Sequence, residues 1–137
     1  PPMKPVHRLG KTAVESIQRQ LRQLGENSPG IQLAVLTSAD GFEVATYQAH
    51  GAEAAAAKVA AMTSSITALA DAITRETGLS TSRNLIIESD TGTVLLIALR
   101  EAHPPLSLAV VASKQAILGH LLWAARNAGT SITRIAE

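Results

Sequence analysis

Two segments, Thr93–Leu99 and Leu106–Ala112, are apolar at almost every position, so a strand made from either has no face suited to water. A third segment, Ile31–Ser38, carries Ile31, Leu33 and Val35 on one alternation and Ala34 and Leu36 on the other. A sheet with such strands at its centre must be covered by helices on both sides. That requirement removes open sandwiches, helical bundles and one-sided sheets, and it leaves a three-layer α/β/α arrangement.

The helices needed for the cover are readable. Thr12-Ala13-Val14-Glu15 has the form of a capping box, and Val14, Ile17, Leu21 and Leu24 follow at helical spacing up to Gly25. Residues 52–77 predict the longest helix, about 39 Å at 1.5 Å per residue, ended by Gly78. Its apolar stripe, Ala55, Val59, Met62, Ile66, Leu69 and Ile73, is expected to face the sheet. Ser113 is the expected cap of a last helix with Ile117, Leu118, Leu121, Leu122 and Ala125 inward. Ala128, Ile132 and Ile135 continue that stripe through Gly129, at a cost of about 1 kcal/mol against Ala.

Between the helices, Asp40-Gly41 signals a hairpin from Ile31–Ser38 to a return strand Phe42–Tyr47, whose mixed alternation suits an edge. Arg83–Ser89 reads as a third strand, and Asp90-Thr91-Gly92 turns it into the fourth. The order is helix, two strands, helix, three strands, helix. Short hairpin links make the five-stranded sheet mostly antiparallel.

The 137 residues are the size of one domain. Residues 1–10 are expected to be loosely held, with Met3 the native start, and residues 11–137 to form the domain. The chain lacks cysteine, which excludes thiolate metal sites and disulfides and fits a reducing, cytoplasmic setting. No apolar run approaches the ~20 residues that span a membrane, and the start has no signal-peptide pattern. A net charge of +1 and only three aromatic residues, Phe42, Tyr47 and Trp123, argue against a nucleic-acid surface.

Chemistry-bearing patterns fail one by one. Gly10-Lys11-Thr12 lacks the earlier glycine and the preceding strand of a phosphate loop, so it reads as a helix start. His7, His50, His103 and His120 are scattered, with no partner at ligand spacing, and no serine elbow occurs. The expectation is no catalytic residue, no metal and no cofactor. The long helix offers something else. At 100° per residue Ala57, Ala61, Ser64 and Ala68 fall opposite the Val59–Ile73 stripe, flanked by Ala54 and Ala72 and edged by Asp71 and Arg75. An ordinary wet face would carry Lys, Glu and Gln. Small side chains admit a close neighbour, although alanine is also simply a good helix former.

With these elements in place the sequence resembles the Roadblock/dynein light-chain family, in its bacterial and archaeal gliding-motility-regulator-like branch. The residues that carry the likeness are Leu36–Ala45 at the first hairpin, the Ala-rich helix after it, Leu85-Ile86-Ile87-Glu88 with the Asp90-Thr91-Gly92 turn, and Leu108–Val111 leading to Ile117-Leu118-Gly119. The resemblance implies a profilin-like topology with sheet order 2-1-5-4-3, the long helix on one face and the other two opposite. It implies a homodimer that pairs third strands and packs long helices together. Arg83, Leu85, Ile87 and the small-residue face match those two surfaces. It also implies a non-catalytic partner of a Ras-like small GTPase. Glu53, Asp71 and Arg75 are the expected polar edges of a docking platform, and Arg75 or Arg83 the candidates for an inserted arginine.

Two alternatives stand beside that function: a scaffold subunit with no effect on nucleotide turnover, and a small-ligand sensor. Trp123 falls roughly 140° from Leu118, off the core stripe of the last helix. It either packs against the first helix or anchors a partner.

Overall fold

The computed structural model describes residues 9–51 and 55–136. The elements are α1 (Lys11–Asn27), β1 (Ile31–Ser38), β2 (Glu43–Gln48), α2 (Ala56–Glu76), β3 (Asn84–Ser89), β4 (Gly92–Leu99), β5 (Leu106–Ser113) and α3 (Leu118–Ile135). The five strands form one sheet in the order β2-β1-β5-β4-β3, every neighbouring pair antiparallel. β2 and β3 are the edges, and the apolar strands β1, β5 and β4 are central, as their two-faced patterning requires. Most of the N-terminal segment expected to be loose, including His7, lies outside the described residues, as do Glu53 and Ala54.

α1 and α3 pack together on one face of the sheet and α2 lies alone on the other. The larger core fills the first side, where Ile17, Leu21, Leu121 and Ile132 meet Leu36, Leu95, Leu108 and Val110. The smaller core lies under α2 and consists of Leu33, Val35 and Ala60 with Ala56, Val59 and Val111 against them. The pairing of β1 with β5 shifts register between Ile31 and Leu33. Ile31 therefore joins Ala34 and Leu36 on the α1/α3 side, not Leu33 and Val35 as strict alternation predicts.

Three local expectations are corrected. α1 begins at Lys11 with Gly10 at the cap and no side-chain capping bond, so Thr12 and Glu15 do not form the expected box. The Val14 amide bonds the Gly10 carbonyl and starts the helix ahead of Thr12. α1 also runs past Gly25, which is buried in the helix. A Cβ there would stand 2.1 Å from Tyr47 Cε2, so this glycine makes room for a ring on β2 and does not stop the helix.

At the other end, Ser113 stays in β5 and its hydroxyl accepts from the Gln115 amide within a turn. α3 starts only at Leu118, which leaves Ile117 exposed ahead of it. It then continues through Gly129 as expected. A Cβ at Gly129 would come 2.9 Å from Leu99 Cδ2, so the glycine sets how closely α3 lies on β4.

Candidate interaction surface

α2 is rotated from its expected orientation: of the predicted core stripe, Val59 packs on the α2-side core and Ile66 is half-buried, but the rest turns outward. Met62, Leu69 and Ile73 of the predicted core stripe are 66%, 63% and 64% exposed. Apart from Val59, the residues turned to the sheet are small or hydroxylic: Ala60 and Thr63 are buried, and Ala56, Ser64 and Thr67 are half-buried. The reason lies in the strand residues beneath. Leu33, Val35 and Val111 already fill the space on that side, so the helix reaches the sheet only with short side chains. Two large apolar layers would hold it too far off.

Hydrogen bonds fix the orientation. Ser64 Oγ donates to the Ala39 carbonyl at 2.8 Å, which ties α2 to the β1–β2 turn. At that turn Gly41, with φ of 91°, sits against Ala61 and Ser64. Asp71 faces inward too and pairs with Arg100 at 2.7 Å. Thr37 is buried in the same layer, and its hydroxyl oxygen has no hydrogen-bond partner among the described residues. The attachment of α2 is thus small in apolar area and partly polar.

The β3 edge also presents apolar residues on the α2 side of the sheet. Val94 lies opposite Val111, which belongs to the α2-side core, so Val94 and Leu96 face that side. Their partners Ile87 and Leu85 share the face. Ile87 is 42% exposed, Leu85 is half-buried, and β3 has no strand on its outer side. Leu79, also exposed, follows the end of α2. A third sector of α2 carries Ala57, Ala61, Ser65, Ala68 and Ala72, all exposed and uncharged.

The sequence-predicted residues are therefore distributed over several places. Ala57, Ala61 and Ala68 lie on that small exposed sector, whereas Ser64 and Asp71 are engaged inside the chain. Arg75 is exposed at the end of α2, and Arg83 lines a groove beside β3. Met62, Leu69 and Ile73 were missed as surface residues. The legible signal was the row Thr63, Ser64 and Thr67 opposite them, joined to strands already bulky on both faces.

Trp123 is 64% exposed and stacks on His120, ring centroids 6.2 Å apart. It lines a shallow cleft between α1 and α3 with Gln20, Gln23, Leu24 and Asn27. Among the described residues no three His, Asp or Glu side chains gather as a metal site. No helix among them is long and apolar enough to cross a membrane.

A family model described as the Roadblock/LC7 domain matches residues 17–119. No curated protein matches the sequence. Among solved structures, one described as MglB with tetrameric arrangement superposes with a TM-score of 0.85 at 18% identity, over 98% of this chain and 97% of that one. The gliding protein MglB from Thermus thermophilus gives 0.84 at 19% identity, over 98% of each chain. A Roadblock/LC7 domain from Streptomyces avermitilis gives 0.74 at 21%, over 84% of this chain and 92% of that one. At these identities the likeness is one of fold.

Proposed function

The chain belongs to the Roadblock/LC7 domain family, and from that premise we propose that it works as a homodimer that binds a Ras-like small GTPase and modulates its nucleotide state. The observation that carries the reading is the exposed stripe Met62, Leu69 and Ile73, on the same side of the sheet as Leu85 and Ile87 at an open strand edge. An apolar helix face beside an unpaired edge is costly in water. A second copy related by a two-fold axis would cover both at once, β3 against β3 and α2 against α2.

This assignment divides the candidate residues. Met62, Leu69, Ile73, Leu85 and Ile87 would meet the second copy. Ala57, Ala61 and Ala68 would remain outside as a low platform spanning two α2 helices, edged by Arg75. A GTPase docked there would meet a surface that exists only in the dimer. The chain would supply no chemistry of its own. It would bias the switch regions of its partner, which requires different affinity for the GDP and GTP forms. Of the two candidate arginines, Arg75 is the one on this face.

The test is binding and single-turnover hydrolysis with the Ras-like small GTPases of the source organism. Preference for one nucleotide state, lost when the dimer is broken, is the expected result. Equal affinity for both states with unchanged turnover would make the chain a scaffold subunit instead.

A further inference from the structure

A depression of about 710 Å³ lies between the C-terminal half of α3 and the β3–β4 edge. It exists because α3 lies over β4 and stops short of the outermost strand. Its floor holds Ile97, Leu99 and Gly129. Its walls carry four arginines, Arg83, Arg100, Arg126 and Arg134, against one carboxylate, Glu101. In a chain of net charge +1 that is a marked segregation of charge.

Among the described residues only Arg100 has an ion-pair partner, Asp71. Arg126 is met by a neutral group. With the Asn84 amide turned to satisfy both its ends, Asn84 accepts from Arg126 Nη2 at 2.7 Å and donates to the Arg83 carbonyl at 3.1 Å. The bond holds the guanidinium across the groove and leaves its charge unneutralised.

We propose that this groove binds an extended acidic segment of a partner protein. Arg126 and Arg134 are eight positions apart on α3, about 12 Å along the helix. Side chains four residues apart on an extended chain stand about 13 Å apart, so two carboxylates on one side of such a segment reach both arginines. The apolar floor accommodates a small or apolar residue between them. The Thr130 and Thr133 hydroxyls on the wall donate to the Arg126 and Gly129 carbonyls, and their oxygens can accept from the amides of a peptide main chain.

A nucleotide phosphate fits less well. The groove has no glycine-rich turn to aim backbone amides at a phosphate. It also has no aromatic residue on which a base would stack. The proposal does not depend on the GTPase, because the groove lies on the α1/α3 side, away from the exposed small sector of α2.

Fluorescence anisotropy with a fluorescein-labelled peptide of Glu-Ala-Glu-Leu repeats tests it on the whole chain. Saturable binding that weakens with salt is expected, and a matching Lys-Ala-Lys-Leu peptide should not bind. The double variant Arg126→Gln/Arg134→Gln should weaken binding about tenfold or more, the loss of two charge-assisted contacts. Thr130→Trp, which fills the groove and keeps its charge, should weaken it as well. The thermal midpoint of each variant, read alongside, separates this loss from unfolding. No saturable peptide binding, or binding indifferent to both variants, overturns the proposal. So does arginine-dependent binding of GDP, inorganic polyphosphate or oligo-thymidine in place of the peptide.

Discussion

Arg100, the residue after β4, reaches Asp71 on α2 with its Nη2 atom 2.7 Å from the carboxylate Oδ1. The same nitrogen donates to the Ser82 carbonyl at 3.1 Å, and the Ser82 hydroxyl donates to Asp71 at 3.3 Å. Three segments are thereby held together: α2, the approach to β3, and the end of β4. The pair is partly exposed, 41% and 18%, so screening keeps its contribution near the surface value. Arg100→Ala should lower unfolding free energy by about 1 kcal/mol. Asp71→Ala should cost a similar amount, and the double variant less than the sum. Urea denaturation of the four proteins checks this; full additivity would mean the contact is not made in solution.

The outward stripe of α2 yields a comparison between two arginine substitutions. Leu69→Arg puts a charge in the middle of the proposed contact with a second copy, where it would be buried without a partner. It should raise the dimer dissociation constant by about a hundredfold or more, a cost of roughly 3 kcal/mol. Ala61→Arg lies on the small sector beside Gly41 and should leave sedimentation unchanged while impairing partner binding. Sedimentation velocity at micromolar concentration decides the first point. The reverse pattern, with Ala61→Arg monomeric and Leu69→Arg dimeric, would return the dimer contact to the small-residue face.

The two-sided helical cover, the central place of β1, β4 and β5 and the extent of most elements were legible because two-faced strands admit few arrangements, whereas the full strand order came from the family resemblance. The orientation of α2 was not. Its periodicity identifies a stripe but not which layer the stripe meets, and here the strands had already supplied the bulk. The early start of α1 and the late start of α3 were lost for a different reason. Thr12 and Ser113 are good capping residues, yet Gly10 and Ile117 occupy the caps; before α3 the Ala116 amide bonds the Ser113 carbonyl in a turn that postpones the helix. The basic groove was invisible, since Arg83, Arg100, Arg126 and Arg134 come from separate stretches that only the fold assembles.

The thin attachment of α2 has a consequence for stability. Its underside buries few apolar groups and leaves the Thr37 hydroxyl buried without a partner among the described residues. Thr37→Val should therefore stabilise the fold, by about 1 kcal/mol, since it removes an unsatisfied group with little change in shape. Thermal unfolding reads the sign directly. A lower midpoint would mean that a buried water satisfies the hydroxyl.

Trp123 is the one tryptophan in the chain, so its fluorescence reports a single site. Exposed and stacked on His120, it should emit near the wavelength of free indole and be quenched readily by iodide. Trp123→Ala should change stability by about 0.5 kcal/mol or less, as surface substitutions do. A drop several times larger would mean that the cleft with α1 closes on the ring and that packing is its role. Unchanged stability with lost partner binding would assign it as an anchor.

Gly25 gives the sharpest test of how the helical layer meets the sheet. In a helix, Gly→Ala is ordinarily favourable by about 1 kcal/mol, because alanine restricts the unfolded chain and suits the helix. Here the added methyl would stand 2.1 Å from Tyr47 Cε2 and 2.3 Å from Cζ. A ring cannot yield by bending as a chain end can. Tyr47 would have to leave its place against the main core, or α1 would have to lift from β2. Overpacking of this kind costs about 1–3 kcal/mol, which cancels and in most of that range exceeds the helical gain. Gly25→Ala should thus destabilise by up to about 2 kcal/mol. Gly129→Ala makes the contrast: its methyl meets only Leu99 Cδ2, the movable end of a side chain, at 2.9 Å. There the helical gain and the small readjustment should nearly cancel. If both variants melt above the parent, α1 is free to shift on β2. If Gly25→Ala melts lower and recovers when combined with Tyr47→Ala, the clash with the ring is its cause.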